Sequence, residues 1–392
     1  MEQSVISNPQ PIPSTRLLPF AQVIGTAGGG GAERLAYNLA LGLHQAGKKS
    51  FCIALKSGGT YGAGGAVPLL ELGLNDVRGW GFLAGAKRLR SFLRQHAIGV
   101  LHIHGYGCLQ FCIPALFGMC NRPRVWFTWH NSEDVLERER GLKRHYLLWC
   151  LRRCERLFGP STEVIEKLRK VAGKSSPISV FRNGVPEIAP SRHVADDVPT
   201  LLWMARFMPT KDPQLLIHAA ARLRDSGLKF RLVMAGSPYP VAQGFYDQTH
   251  QLICDLDLAT IVSLPGWVDD TTALIQSASI GVQTSLQEGL SMSLLEQMMA
   301  GLAVVATDVG QTREALESCG LLIPPKDIRA LADALRELIV DPEHRQRLGC
   351  AARRRALAEF STQAMVTRTI DMYCTPQPGT SRVAPALPIG SP

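Results

Sequence analysis

Residues 285–310 read Ser285-Leu-Gln-Glu-Gly-Leu-Ser-Met-Ser-Leu-Leu-Glu-Gln-Met-Met-Ala-Gly-Leu-Ala-Val-Val-Ala-Thr-Asp-Val-Gly310. Two carboxylates, Glu288 and Glu296, stand eight positions apart with the turn-forming Gly289-Leu-Ser-Met-Ser293 between them. The pattern is a strand end, a loop, a helix N-terminus and a second strand, which is the layout of a phosphate-and-sugar pocket in an α/β sheet. A helix starting near Ser291 leaves its first amides free, and with the helix dipole these attract an anion. Gly289 lets the backbone approach a ligand closely. A carboxylate can accept from two hydroxyls, which suits a sugar or ribose diol. Taken alone, the pair also fits a plain helix residue and a solvated loop residue, so the rest of the chain must decide.

The 392 residues are 46% apolar and 19% charged, a globular composition with room for two domains. No apolar run approaches the ~18 residues of a bilayer span. Residues 1–16 hold Pro9, Pro11 and Pro13 but no basic–apolar–small signal layout, so a cytoplasmic location is expected. The ten cysteines include no CxxC pair and read as small apolar fillers in a reducing compartment. Net charge is +9, concentrated so that residues 138–182 carry 12 Lys or Arg against 4 Glu. Lys87, Arg88, Arg90 and Arg94 lie among Phe82, Leu83, Leu89, Phe92 and Leu93 at helical spacing. That surface fits either a solvated helix face or a dock for anionic lipid on the inner face of a membrane. Nucleic acid is not expected as a partner, because no aromatic-interleaved basic motif accompanies the charge.

Alternating short apolar runs and longer amphipathic ones predict a parallel, doubly wound sheet in each half. In the first half strands are expected at 18–25, 50–55, 99–104, 124–129, 157–159 and 178–182, with a helix over 33–46 capped by Gly47. In the second they are expected at 200–205, 230–235, 261–264, 280–283 and 303–306, with helices beginning near Thr210, Asp269, Ser291 and Asp327. Thr210 and Asp269 are natural N-caps. The expected division is a disordered N-terminus (1–16), an N-terminal Rossmann-like domain (17–185), a linker (186–199), a C-terminal Rossmann-like domain (200–360), a helix (361–374) and a disordered tail (375–392). Two such domains create a cleft at the carboxyl ends of both sheets.

Three further groups belong to that cleft. Arg206 and Lys211 flank a strand-to-helix turn, where a planar fork and a point charge suit a diphosphate. Gly28–Gly31 form a glycine loop that is not GxGxxG and has no acidic residue in the usual ribose-binding place, which argues against a dinucleotide. His102 and His104 alternate at a strand end, and His130 ends another; His130 sits at the cleft edge. None of these spacings is that of a metal site, so neither a metal nor a cofactor is expected.

These segments together resemble the retaining, GT-B-fold glycosyltransferases of family four (glycosyl transferases group 1). Glu288-Gly-Leu-Ser-Met-Ser-Leu-Leu-Glu296 is similar to their paired-glutamate motif, Gly28-Gly-Gly-Gly-Ala-Glu-Arg34 to their N-terminal loop, and the segment from Arg206 to Lys211 to their diphosphate-binding turn. Asn183-Gly-Val185, Leu264-Pro-Gly-Trp-Val-Asp-Asp270 and Gly320-Leu-Leu-Ile-Pro-Pro-Lys-Asp327 match in type and order, and the resemblance covers roughly residues 17–374. It implies two Rossmann-like domains across a cleft, with residues 361–373 crossing back to the first. It implies that Arg206 and Lys211 hold the donor diphosphate, Glu288 the donor sugar and Glu296 the ribose. Amides of Ser291, Met292, Ser293 and Leu294 would hold phosphate oxygens, Gly29 and Gly30 would approach from the first domain, and His130 would lie near the transferred sugar. The implied activity is metal-independent hexosyl transfer from a UDP- or GDP-linked sugar to a glycan or lipid-linked acceptor, with retention, in surface-polysaccharide assembly. A nucleotide-sugar epimerase of the same fold and a non-catalytic donor-binding subunit are the alternatives. Ser291 and Gln311 stand where the family often has glycine, and Gly159-Pro160-Ser161 replaces its Ala-Ser segment, so pocket shape near the donor sugar departs from the pattern.

Overall fold

The structure, a computed structural model, describes residues 18–28, 30–59, 65–74, 79–130, 140–159, 162–172, 177–238 and 243–374. The first half runs β1 (Phe20–Ile24), α1 (Gly31–Gln45), β2 (Ser50–Ala54), β3 (Leu69–Glu71), α2 (Gly79–Gln95), β4 (Val100–His104), α3 (Tyr106–Ala115), β5 (Arg124–Thr128), α4 (Gly141–Leu151), β6 (Arg156–Gly159), α5 (Thr162–Ala172) and β7 (Ile178–Val180). The second runs β8 (Thr200–Met204), α6 (Pro213–Asp225), β9 (Arg231–Ala235), α7 (Gln243–Asp255), β10 (Val262–Gly266), α8 (Thr272–Gln276), β11 (Ile280–Gln283), α9 (Met292–Met299), β12 (Ala303–Thr307), α10 (Thr312–Leu316), β13 (Leu321–Ile323), α11 (Ile328–Val340), α12 (Pro342–Glu359) and α13 (Thr362–Cys374). The sheets are ordered β3-β2-β1-β4-β5-β6-β7 and β10-β9-β8-β11-β12-β13, and the paired strands are parallel. Helices cover both faces, so the central strands are enclosed along their whole length: β1 and β12 are buried at every position. Two doubly wound, Rossmann-like domains result.

The expected strands are present, shifted at most two residues at an end, and two were not anticipated. β3 and β13 are three-residue edge strands, each next to a proline, Pro68 before β3 and Pro324 after β13. Two expected helix caps are corrected. Asp212, not Thr210, caps α6: its carboxylate accepts from the Leu215 amide at 3.3 Å, and Pro213 follows at the first helical position, where no amide is needed. Pro209–Lys211 is instead a 3₁₀ turn. Asp269 accepts from Trp267 Nε1 at 2.8 Å, while the Asp270 carboxylate receives the Thr272 amide at the start of α8. Ser291 and Asp327 cap α9 and α11 through their side chains. Gly47 ends α1 with φ +72°, its amide reaching His44 O and that of Lys48 reaching Leu43 O, a Schellman close.

Residues 186–199, read as a linker, are strapped to the second domain. Ser191 Oγ donates to the carbonyls of Gln276 and Ala278, and the fully buried Arg345 guanidinium donates to Val194 O and Asp196 O. The chain crosses between domains twice, side by side: the Val185 amide donates to Phe360 O, and the Thr362 amide to Val185 O at 2.8 Å. α13 then returns to the first domain. Met365, Val366 and Ile370 pack on Phe20, Leu35, Leu39, Leu43, Val100, Trp126 and Phe158. Tyr373 meets Phe20 with ring centroids 5.1 Å apart, under the Arg124 guanidinium. Gly42 makes the approach possible, since a Cβ there would lie 2.6 Å from Val366 Cγ2 and 2.7 Å from Thr362 Cγ2. The expected termini at 1–16 and 375–392 lie outside the described residues.

The first sheet carries a polar insert at its carboxyl end. His102 Nε2 meets Thr128 Oγ1 at 2.7 Å, His104 Nε2 meets Gln22 Oε1 at 2.9 Å, and His104 Nδ1 meets His130 Nε2 at 2.9 Å. Gln22 Oε1 can only accept, so His104 carries its proton on Nε2 and accepts at Nδ1 from His130 Nε2. Burial keeps all three neutral: it lowers His102 to about 3 and His130 to about 4, and His104 falls well below its usual value.

Two outcomes follow for stability. Gly42→Ala should lower the melting temperature although alanine favours helix by about 1 kcal/mol, because overpacking against α13 costs about 1–3 kcal/mol; a raised melting point would refute the tight contact. The histidines have folded pKa values below the unfolded 6.5, so the unfolded chain binds more protons as pH falls, and their stabilisation, present above 6.5, is lost towards 4. Melts between about pH 7.5 and about pH 4.5 should show this fall at roughly 1.4 kcal/mol per pH unit per histidine. His102→Gln should flatten it, and an unchanged slope would contradict the neutral insert.

Candidate active site

Strand order reverses between β1 and β4 in one sheet and between β8 and β11 in the other. At such a point adjacent connections leave in opposite directions and open a crevice beyond the strand ends. The two crevices face each other around a cavity of about 990 Å³. The first domain contributes Gly30, Gly31 and Arg34; the second contributes residues from the ends of β8, β9, β10 and β11 and the start of α9. Gly31, the first residue of α1, comes so close to α9 that a Cβ on it would sit 3.5 Å from Met292 Cγ. Two helix N-termini thus meet at one cavity, and their dipoles add at the same place.

Arg206 and Lys211 both line the cavity. Lys211 is held by backbone: Thr284 Oγ1 donates to Lys211 O at 2.8 Å, and the Leu286 amide donates to Thr210 O. Thr284 is fixed in turn by Trp203 Nε1 at 3.0 Å. The Lys211 ammonium pairs with Glu288 Oε1, and the same oxygen accepts from Ser285 Oγ at 2.9 Å and Gln283 Nε2 at 3.2 Å. Three donors on one oxygen fix the carboxylate plane and leave Oε2 to accept from a ligand. Gly310 secures the turn from below, with φ +56° and no room for a Cβ, which would fall 2.1 Å from Glu288 O.

Glu296 is 2% exposed, and burial raises its pKa while the Arg34 guanidinium opposes the rise. Arg34 Nη1 stands 3.0 Å from Glu296 Oε1, across the cleft. Ser291, Met292 and Ser293 line the cavity. Leu294 is fully buried and is not part of the lining, and its amide is turned to Ser291 Oγ at 3.4 Å. His130 is not in the lining either; it is partly buried behind it, stacked on His104 with ring centroids 5.2 Å apart. Gly30 is in the wall, while Gly29 lies outside the described residues.

Sequence reading assigned no role to Arg34, nor to the Trp267–Asp270 loop that forms another wall with a 56% exposed indole. Both lie in segments quoted for their resemblance, which was the available signal. Two of the basic α2 side chains are engaged with backbone: Arg88 donates to Leu72 O and Glu71 O, and Arg90 to Ala115 O and Phe117 O. The cysteines at 108, 112, 150 and 154 are buried and free, and burial raises the Cys108 thiol to about 12. Among the described residues no group of His, Cys, Asp or Glu is arranged to hold a metal ion, and no helix is long and apolar enough to cross a membrane.

Comparison with known proteins agrees with this architecture. Residues 29–187 match the model of Glycosyltransferase Family 4, and residues 185–355 that of Glycosyl transferases group 1. The chain is 32% identical over 172 residues to MMP alpha-(1->4)-mannosyltransferase of Mycolicibacterium hassiacum, covering 42% of this chain and 40% of that protein. It is 27% identical to glycogen synthase of Mycobacterium tuberculosis over 342 residues, 80% of each chain. The matched part thus spans under half the length of the first of these relatives. Among solved structures, Anabaena HepE in complex with UDP and glucose superposes with a TM-score of 0.77 at 17% identity, covering 91% of this chain and 99% of that one. Sucrose-phosphate synthase from Thermosynechococcus elongatus gives 0.76 at 18%, covering 91% and 98%. These likenesses establish the fold, two Rossmann-like domains in the GT-B arrangement. With the two family models side by side over residues 29–355, the chain belongs to the group 1, family-four glycosyltransferases.

Proposed function

We propose that the protein transfers a hexosyl unit from a nucleoside-diphosphate sugar to a glycan or lipid-linked acceptor, with retention of configuration and without a metal ion. The observation that carries the reading is the Lys211–Glu288 pair beside Arg206, locked at the switch point of the second sheet and facing two helix N-termini. A cavity of about 990 Å³ has room for such a donor. The complex of HepE with UDP and glucose supports a nucleotide-sugar donor here, and the likeness to a mannosyltransferase and a glycogen synthase supports glycan-type acceptors.

In this reading Arg206 and Lys211 hold the diphosphate, with the first amides of α9 beside them. Glu288 Oε2 accepts from hydroxyls of the donor sugar, and Glu296 from those of the ribose. Gly30 forms part of the side facing the transferred sugar, and His130 lies behind that side against His104. As the bond from the anomeric carbon to the diphosphate oxygen breaks, negative charge grows on the leaving oxygen. Fixed cations and amides stabilise that charge without reorganising. The acceptor hydroxyl forms its new bond to the anomeric carbon on the same face, and its proton passes to the departing phosphate oxygen. Closure of the domains about the paired crossings at 185 and 361 excludes water that would hydrolyse the donor. The domain bounds drawn from the sequence, 17–185 and 200–360, fit this division of labour.

The acceptor is proposed to lie at an anionic membrane surface, as in surface-polysaccharide assembly. Trp80, Leu83 and Lys87 share one side of α2 by helical spacing, with the indole 88% exposed, and α4 offers Leu142, 90% exposed, next to Lys143 and Arg144. Apolar side chains that can insert, rimmed by cations, suit a lipid headgroup layer.

Lys211→Ala and Arg206→Ala should each lower kcat about 10²–10³-fold, as loss of one fixed charge-stabilising donor does. Near-full activity in either variant would overturn the diphosphate assignment. In co-sedimentation the protein should follow vesicles containing anionic phospholipid and remain in solution with neutral ones. Equal partition to both would end the membrane reading.

A further inference from the structure

The Arg34–Glu296 pair joins α1 of the first domain to α9 of the second across the cleft. Glu296 is almost wholly enclosed, with its side chain 3% exposed, whereas the Arg34 side chain is 37% exposed and lines the cavity. A buried carboxylate without a cation nearby takes up a proton, and a protonated carboxyl has lost part of its capacity to accept. On the cavity side the charged groups near this pair are few. Arg206 and Lys211 line the same cavity, and Lys211 is paired with Glu288. Asp269 and Asp270, on the loop after β10, also line the cavity, and Asp270 is held below the usual carboxylate range by its bonds with Thr272, with Arg34 adding to the effect. Arg34 is the cation paired with Glu296 among the described residues.

We propose that Arg34 is a donor-positioning residue: from the opposite domain it keeps Glu296 ionised and oriented, so that the carboxylate can receive two hydroxyls of a nucleoside diphosphate sugar. The proposal rests on the donor reading above and adds a residue to it. It also gives α1 a specific duty in the C-terminal pocket. The start of α1 stands against α9, where a Cβ on Gly31 would meet Met292 Cγ at 3.5 Å, and the fourth residue of the helix, Arg34, reaches over to Glu296. Because the pair spans both domains, Glu296 is fully prepared only when they are close together. Donor affinity is thereby tied to domain closure.

The test is donor binding by calorimetry across pH, with UDP-glucose and GDP-mannose as probes, on the full chain and on Arg34→Gln, Arg34→Lys, Glu296→Gln and Lys211→Ala. Arg34→Gln should bind about tenfold more weakly at neutral pH, the loss of a close ion pair to an enclosed carboxylate. Its affinity should also fall at a higher pH than that of the unaltered chain, because Glu296 loses the charge that opposes the effect of burial. Arg34→Lys should restore most of the affinity and the original pH profile. In the Glu296→Gln background the Arg34 substitution should have little further effect. Unchanged or tighter binding by Arg34→Gln, with an unshifted pH profile, would overturn the assignment and leave the pair a latch between domains. If that happened while Lys211→Ala still weakened binding, the donor reading would survive. Failure of the unaltered chain to bind either probe would instead defeat the donor reading itself. Arg34 is partly exposed, so the glutamine variant should fold, and circular dichroism beside the lysine variant checks that.

Discussion

A parallel strand can follow its neighbour only by a right-handed crossover, and this handedness governs the molecule. Each sheet is built outward from a central strand in one direction, then in the other. At the strand where the direction changes, successive crossovers fall on opposite faces and cannot close over the strand ends. The gap is a consequence of chirality, not of any particular side chain. Two gaps, one per sheet, are brought face to face by the paired crossings at Val185 and Ser361. What each gap contains is then a matter of local sequence. Gly30 and Gly31 let a helix start approach, Asp212-Pro213 sets the turn that presents Lys211, and Gly310 leaves space for the Glu288 backbone.

Within the cavity each of the two glutamates is accompanied by a cation from a different part of the chain, Lys211 for Glu288 and Arg34 for Glu296. Removing two such charges from water costs several kcal/mol per ion, and pairing offsets it only when geometry is good. The structure supplies that geometry through neutral neighbours. Ser285, Gln283 and Thr284 are buried, and each ties its segment to the next. Thr307 Oγ1 adds a bond to Ser285 O at 2.6 Å, so the loop before α9 is fastened to the strand after it. The arrangement is rigid on the side of the second domain and contingent on domain approach on the side of the first.

Most of the fold was legible because its strands are buried on both faces and its helices begin and end on residues with a mechanism, such as Ser291, Asp327 and Gly47. β3 and β13 escaped because the prolines beside them, Pro68 and Pro324, read as loop. Threonine caps well, which favours Thr210, but Pro213 shifts the helix start and makes Asp212 the cap. The candidate site was legible where it is local: Glu288, Ser291 and Lys211 each sit next to a strand end that the sequence marks. The Arg34–Glu296 contact was not, since nothing in either segment specifies the other; only the closed arrangement of two sheets brings them within 3.0 Å. His130 illustrates the reverse case, a residue placed at the cleft edge by its strand whose imidazole turns inward to His104.

The return of α13 has a consequence for how the chain matures. The face of the first sheet that Phe20, Trp126 and Phe158 present is covered by Met365, Val366 and Ile370, which leave the ribosome only after the strands of both sheets. Until then the first domain has all its strands and a bare aromatic groove, while the second can bury its own core independently. The order of emergence is therefore opposite to the order of completion: the half made first is finished last. A nascent chain of this protein carries an adhesive surface from the completion of its first sheet until α13 emerges, the kind of exposure that invites chaperone binding or aggregation.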